Sequence, residues 1–152
     1  RKSHMNKRLF LSLLLASVVA AGCNTRVKNF TATTPNKNIL LNLHNKERAD
    51  RRMSLLQLDQ TLSDAAQKYA EEMARTGKFE HGNVAKRIGS GWMAYGENIA
   101  MGQTSNEEVM NDWMDSIGHK RNILNKNFQL IGIGIAKNSN GEIYWVVDFG
   151  TK

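Results

Sequence analysis

Ile143-Tyr144-Trp145-Val146-Val147-Asp148-Phe149 is almost continuously apolar. A strand that carries large apolar side chains in both directions must be covered on both faces. This segment therefore predicts a central strand with packing above and below it. Just upstream, Leu130 to Ala136 alternates, with Ile131, Ile133 and Ile135 facing one way and Gly132 and Gly134 the other. A glycine face lets a helix come close to the sheet. Asn138-Ser139-Asn140-Gly141 reads as a turn, and Tyr95 to Met101 as a third strand.

Three helices supply the cover. Ile39, Leu40, Leu43 and Glu47 recur at helical spacing, which puts Leu43 inward with His44 beside it. Thr34 is the expected cap of this helix and Pro35 its first residue. Leu62, Ala65, Ala66, Tyr69 and Met73 form an apolar stripe that Gly77 ends as a left-handed cap. Ser105-Asn106-Glu107-Glu108 is a capping box for a third helix, with Val109, Met110, Trp113 and Ile117 as its buried face. The order predicts an α+β fold, a three-layer α-β-α sandwich on a small, mainly antiparallel central sheet. Between Gly77 and Gly102 lie six of the 12 glycines. A long glycine-rich stretch inside a compact domain is usually functional.

The front of the chain reads differently. Residues 1–4 resemble an expression remnant. Residues 5–22 have the pattern of a lipoprotein signal peptide: Asn6-Lys7-Arg8, an apolar run from Leu9 to Val19, then Ala20-Ala21-Gly22 before Cys23. The run is shorter than the roughly 20 residues that span a bilayer. Cys23, the only cysteine, is the expected lipidation site, and residues 23–37 the lipidated tether. Ala20 stands where leucine is usual. Lipid on Cys23 would make the membrane a partner and place the protein at the cell envelope, with the outer membrane or cell surface as its face. Once Cys23 is committed, no disulfide is available within the chain, and the core alone must hold the fold. Net charge is +7, but four of the cations and no acid lie in residues 1–23, leaving +3 for the remainder. That charge is dispersed, without a basic block, and carries no nucleic-acid footprint. A monomer is expected.

His44-Asn45-x-x-Arg48, Phe79-Glu80-His81, Gly96-Glu97-Asn98-Ile99-Ala100, Trp113-x-x-Ser116-x-x-His119-x-x-Asn122-Ile123, Gly132-x-Gly134 and Tyr144 to Phe149 occur in that order. Together they resemble the CAP superfamily: cysteine-rich secretory proteins, antigen 5 and pathogenesis-related proteins, with bacterial members. The resemblance covers residues 38–152. It implies a cleft lined by two histidines and two acids that holds zinc or another divalent ion in some members. Carried over, the cleft residues are His81, Glu97, Ser116 and His119. Ser116 stands where the second acid is usual, so the site has one negative charge fewer.

His81, His119 and Glu97 would suit Zn2+ with water in the fourth position, and such water can be a nucleophile. Equally, Glu97 could accept from loop amides and His119 could cap the carbonyl end of its helix. His44 reads as a core histidine. Asn45, Arg48, Asn98 and Asn122 read as ties between loops and helices, Trp113 and Trp145 as core, and Trp92 as a loop anchor. The leading expectation is a cleft that binds a divalent metal, a small ligand or a partner without turnover. The rivals are a metal-assisted envelope hydrolase, a lipid-binding protein, and an adhesion module that meets a lipid or protein partner through the cleft or the loops.

Overall fold

A computed structural model of the chain describes residues 34–152. Cys23 and the signal pattern before it lie outside the described residues. The first helix, α1, spans Lys37–Ala49 and starts later than expected. Asn36 is its cap, and its side-chain oxygen accepts from the amides of Asn38 and Ile39 at 2.9 and 3.2 Å. Thr34 and Pro35 stay outside because Asn106 holds this entry, accepting from the Asn36 amide at 3.1 Å and donating to the Thr34 carbonyl at 3.3 Å. The inward stripe of α1 is Leu40, His44 and Arg48, not Ile39, Leu43 and Glu47.

A two-residue strand, β1 (Gln57–Leu58), precedes α2 (Gln60–Thr76). Asp59 caps α2, and Gly77 ends it at φ 71° as expected. Leu62, Ala65, Ala66, Ala70 and Met73 are its buried face. The glycine-rich stretch holds a short helix, α3 (Val84–Ile88), and leads into β2 (Ala94–Met101). Next come α4 (Asn106–Asp115), α5 (Ile117–Ile123), β3 (Leu130–Lys137) and β4 (Ile143–Thr151).

The cap of α4 is Ser105, whose hydroxyl accepts from the Glu108 amide. Glu108 reaches back to the amide and hydroxyl of Thr104, one residue beyond the expected box. Ser116, at φ −91° and ψ 123°, is extended and separates α4 from α5. The break corrects one expectation: Ile117 leaves the buried stripe and is 80% exposed.

The sheet order is β1-β3-β4-β2, with β1 parallel to β3 and the other pairs antiparallel. All nine residues of β4 are buried, as a central strand covered on both faces requires. Trp145, Val147 and Phe149 pack with Leu40, Val109, Trp113 and Ile123 on one face. Tyr144 and Val146 pack with Ala66, Ala70 and Met73 on the other. A side chain at Gly132 or Gly134 would run into the backbone of α2, at 2.1 Å from Leu62 and Ala66. The glycine face thus sets how closely α2 lies. The expected α-β-α sandwich is present, with β1 as an unanticipated edge strand.

Candidate functional site

The free edge of the sheet beside β4 is β2, and the expected cleft residues gather along it. Register places Glu97 opposite Asp148. Two carboxylates therefore stand side by side on the α2 face of the sheet, 7% and 0% exposed. Like charges directly opposite one another destabilise a strand pair, so a cation is needed. Arg87 of α3 supplies it. Its Nη2 donates to Glu97 Oε2 at 2.6 Å and to both Asp148 oxygens at 2.8 and 3.1 Å. The guanidinium also lies 4.1 Å from the centre of the Tyr69 ring, a favourable cation–π stack.

The remaining Glu97 oxygen is committed too. Oε1 accepts from His81 Nδ1 at 2.8 Å and from the Gly82 amide at 3.2 Å. The His81 side chain is 61% exposed, so it forms the solvent end of a row running from His81 through Glu97 and Arg87 to Asp148. Burial pushes the Asp148 carboxyl up to about 7, against the opposing pull of Arg87. Burial would lower the Arg87 guanidinium, but Asp148 and Glu97 outweigh it and hold it above its ordinary value.

His119 comes from α5. Its ring centre lies 6.5 Å from that of His81 and 6.4 Å from that of Trp113. Burial, and then the neighbouring His81, lower its affinity for a proton, so the ring is biased to the neutral form. It sits inside α5 and does not cap the helix through its side chain; its carbonyl accepts from Asn98 Nδ2 at 3.1 Å. His119 and Ser116 line a groove with Phe79, Ile99, Met101 and Trp113 on its apolar side and Gln103 and Asp112 on its polar side, with a volume of about 280 Å3.

The four expected residues thus divide. His81 and Glu97 belong to the ionic row, while Ser116 and His119 belong to the groove beside it. The expected three-donor metal set does not form. Among the described residues, no three His, Cys, Asp or Glu side chains are placed to hold an ion. Both Glu97 oxygens face cationic or N–H donors, and one donor is a permanent cation.

The other motif residues build the surroundings. Trp113 Nε1 donates to the Ile99 carbonyl at 3.2 Å, and Asn122 Nδ2 to the Glu97 carbonyl at 3.0 Å. Both occupy carbonyls on the outer edge of β2, which blunts it against another strand. Asn45 exchanges two hydrogen bonds with the backbone of Leu56. His44 is fully buried and donates from Nδ1 to the Leu40 carbonyl at 2.8 Å. Burial lowers it to about 4, so it is neutral. Trp92 is half-buried, with its ring where a Gly150 side chain would be.

Arg87, Asp148, Tyr69 and Gln103 were missed from the sequence. Asp148 carried a signal, as the one charge inside an apolar strand. Arg87 carried none, lying beside Lys86 in an irregular stretch.

Comparison with known proteins bears on the family and the fold. A model of the cysteine-rich secretory protein family, CAP, matches residues 41–149. YkwD, an uncharacterized protein of Bacillus subtilis, is 33% identical over 133 residues, covering 82% of this chain and 52% of YkwD. The chain therefore spans about half the length of that relative. An outer surface protein of Borrelia burgdorferi has a TM-score of 0.72 at 23% identity, over 80% of this chain and 98% of that one. An extracellular SCP-domain protein of Bacillus anthracis has a TM-score of 0.67 at 25% identity, over 76% of this chain and 40% of that one. NaASP2, solved with Zn2+, shares the fold at 15% identity, with a TM-score of 0.60 over 77% of this chain and 83% of that one. Zinc thus occurs with this fold, although the donors here are otherwise engaged. With a family model matching residues 41–149, most of the described residues, the chain belongs to the CAP, or cysteine-rich secretory protein, family.

Proposed function

We propose that this is an exported CAP-domain protein, anchored at the cell envelope through lipid on Cys23, whose groove binds a small amphipathic ligand without turnover. The export pattern ending at Cys23 supports the location, as does a relative described as extracellular. Palmitate labelling that persists in Cys23→Ala would contradict the anchor.

The observation that carries the binding reading is the groove's unsatisfied polarity. Gln103 Nε2 donates to Asp112 at 2.8 Å, which fixes the amide orientation and leaves Oε1 as a buried acceptor without a partner. Buried acceptors without partners are uncommon, and each calls for an explanation. The Ser116 hydroxyl has no partner among the described residues and caps neither helix. An acceptor, a hydroxyl and the Asp112 carboxylate favour a ligand head that donates, an amine or an alcohol. Phe79 and Met101, 45% and 36% exposed, offer its apolar body a surface. Small-molecule sites run from about 300 Å3 upward, so a groove of about 280 Å3 suits a short ligand rather than a whole phospholipid. The sequence around Ser116, Met114-Asp115-Ser116-Ile117-Gly118, is not a nucleophile-elbow motif.

The test is a fluorescence titration with monodansylcadaverine, an amphipathic amine, beside its carboxylate analogue. Saturable binding that favours the amine and weakens at least tenfold in Ser116→Trp is expected. Equal, unsaturable signals from both probes would end this reading.

A further inference from the structure

We infer that the Arg87 guanidinium is the resident cation of this cleft, seated where Glu97 and Asp148 converge, and that it makes the cleft independent of a divalent ion. The inference is separate from what the groove binds, because it concerns the ionic row and not the groove lining.

Three features mark a built seat rather than a chance ion pair. First, one nitrogen of Arg87 meets three carboxylate oxygens from two strands, at 2.6 to 3.1 Å. A point where two buried carboxylates converge is a cation position, and here a covalently attached cation fills it. Second, the chain clears space for it. Gly82 has an ordinary backbone conformation, yet a side-chain carbon there would come within 2.2 Å of Arg87 Nη1 and 2.7 Å of the Tyr69 ring. Glycine at 82 is required by room for the guanidinium, not by its φ angle. Third, α3 is held so that Arg87 points inward. Asn83 caps it by accepting from the Lys86 amide at 2.9 Å, and Val84 and Ile88 are buried with Leu62 and Ala65.

Arg87 is only 16% exposed in its side chain, and its Nε and Nη1 have no partners. It is therefore held by charge and by the Tyr69 ring rather than by a full set of hydrogen bonds. A divalent ion entering this position would have to displace a cation already in contact with both carboxylates. Glu97 in turn orients His81, so the histidine that resembles a metal ligand is positioned by a carboxylate that Arg87 neutralises.

Removing Arg87 should open a latent site made of Glu97, Asp148 and His81. The test is zinc titration by calorimetry on the full chain in mild detergent. Wild type and Arg87→Lys should show no zinc binding that depends on Glu97. Arg87→Gln should gain a site at least tenfold tighter than any wild-type binding, and the added change Glu97→Gln should abolish it. If Arg87→Gln does not fold, Arg87→Gln/Asp148→Asn removes one buried charge of each sign and should still gain a weaker, Glu97-dependent site. Glu97-dependent zinc binding by the wild type would overturn the inference. So would a folded Arg87→Gln, or in its place a folded double variant, that binds no more zinc than the wild type.

Discussion

Arg48 and Arg87 are both withdrawn from solvent, on opposite faces of one sheet, and they are held by opposite means. Arg48, 1% exposed, meets no carboxylate. Its Nε donates to the Ser54 carbonyl at 2.8 Å, its Nη1 to those of Ile123 and Asn125 at 2.9 Å, and its Nη2 to that of Phe128 at 3.0 Å. It staples two irregular segments to α1, and its planar fork is the reason it can. Arg87 uses one nitrogen, and its partners are charges. The first site is satisfied in geometry and the second in electrostatics. A buried side chain whose every nitrogen is matched to backbone carbonyls is structural. A buried charge whose hydrogen bonds all go to other charges is the one whose loss changes what the cleft attracts.

Substitution can break this contrast, most strongly at Arg48. Arg48→Met removes four hydrogen bonds and leaves three carbonyls, those of Ser54, Ile123 and Phe128, without that donor, and should cost on the order of 4 kcal/mol, read by urea denaturation. Lysine separates the two sites more sharply. Three rotatable donors on a point charge cannot reproduce the fork, so Arg48→Lys should still cost about 3 kcal/mol, close to a buried-network loss. Arg87→Lys keeps the charge between two carboxylates and should cost only about 1 kcal/mol. Equal losses for the two lysine variants would remove the distinction.

The pH dependence also separates the two faces, which have opposite signs. His44 is lowered to about 4 by burial. Its contribution is complete above its ordinary value near 6.5 and fades as pH falls toward 4. Asp148 is raised to about 7 by burial. Its contribution is complete below its ordinary value near 3.8 and fades as pH rises through 7. The two slopes oppose one another between roughly pH 4 and 6.5, which flattens the wild-type profile. Asp148→Asn removes the falling component. Relative to the wild type, its stability should therefore climb between pH 4 and 7, by at most about 1.4 kcal/mol per unit. A parallel pair of profiles would show that Asp148 does not titrate in this range.

Most of the fold could be read from residues whose burial follows from being apolar. The β4 run, the glycine face of β3 and the alanine stripe of α2 all behaved so. The α1 stripe was misassigned because two of its three inward residues, His44 and Arg48, are polar, and hydrophobic periodicity does not register a side chain buried by hydrogen bonds to carbonyls. Ile117 was misassigned because one extended residue, Ser116, broke a helix that apolar spacing alone continues. At the site, Glu97 and the two histidines were visible as a motif, but their mutual geometry was not. What separates a ligand set from an ion-pair row is Arg87, and its place depends on a five-residue helix whose entry and packing are tertiary facts.

The most direct measurement is a crystal structure of the protein soaked in zinc. Density for Arg87 on Glu97 and Asp148, with no ion between Glu97, His81 and His119, is the expected result. An ion bound by those three side chains, with Arg87 swung out of the cleft, would contradict the resident-cation reading outright.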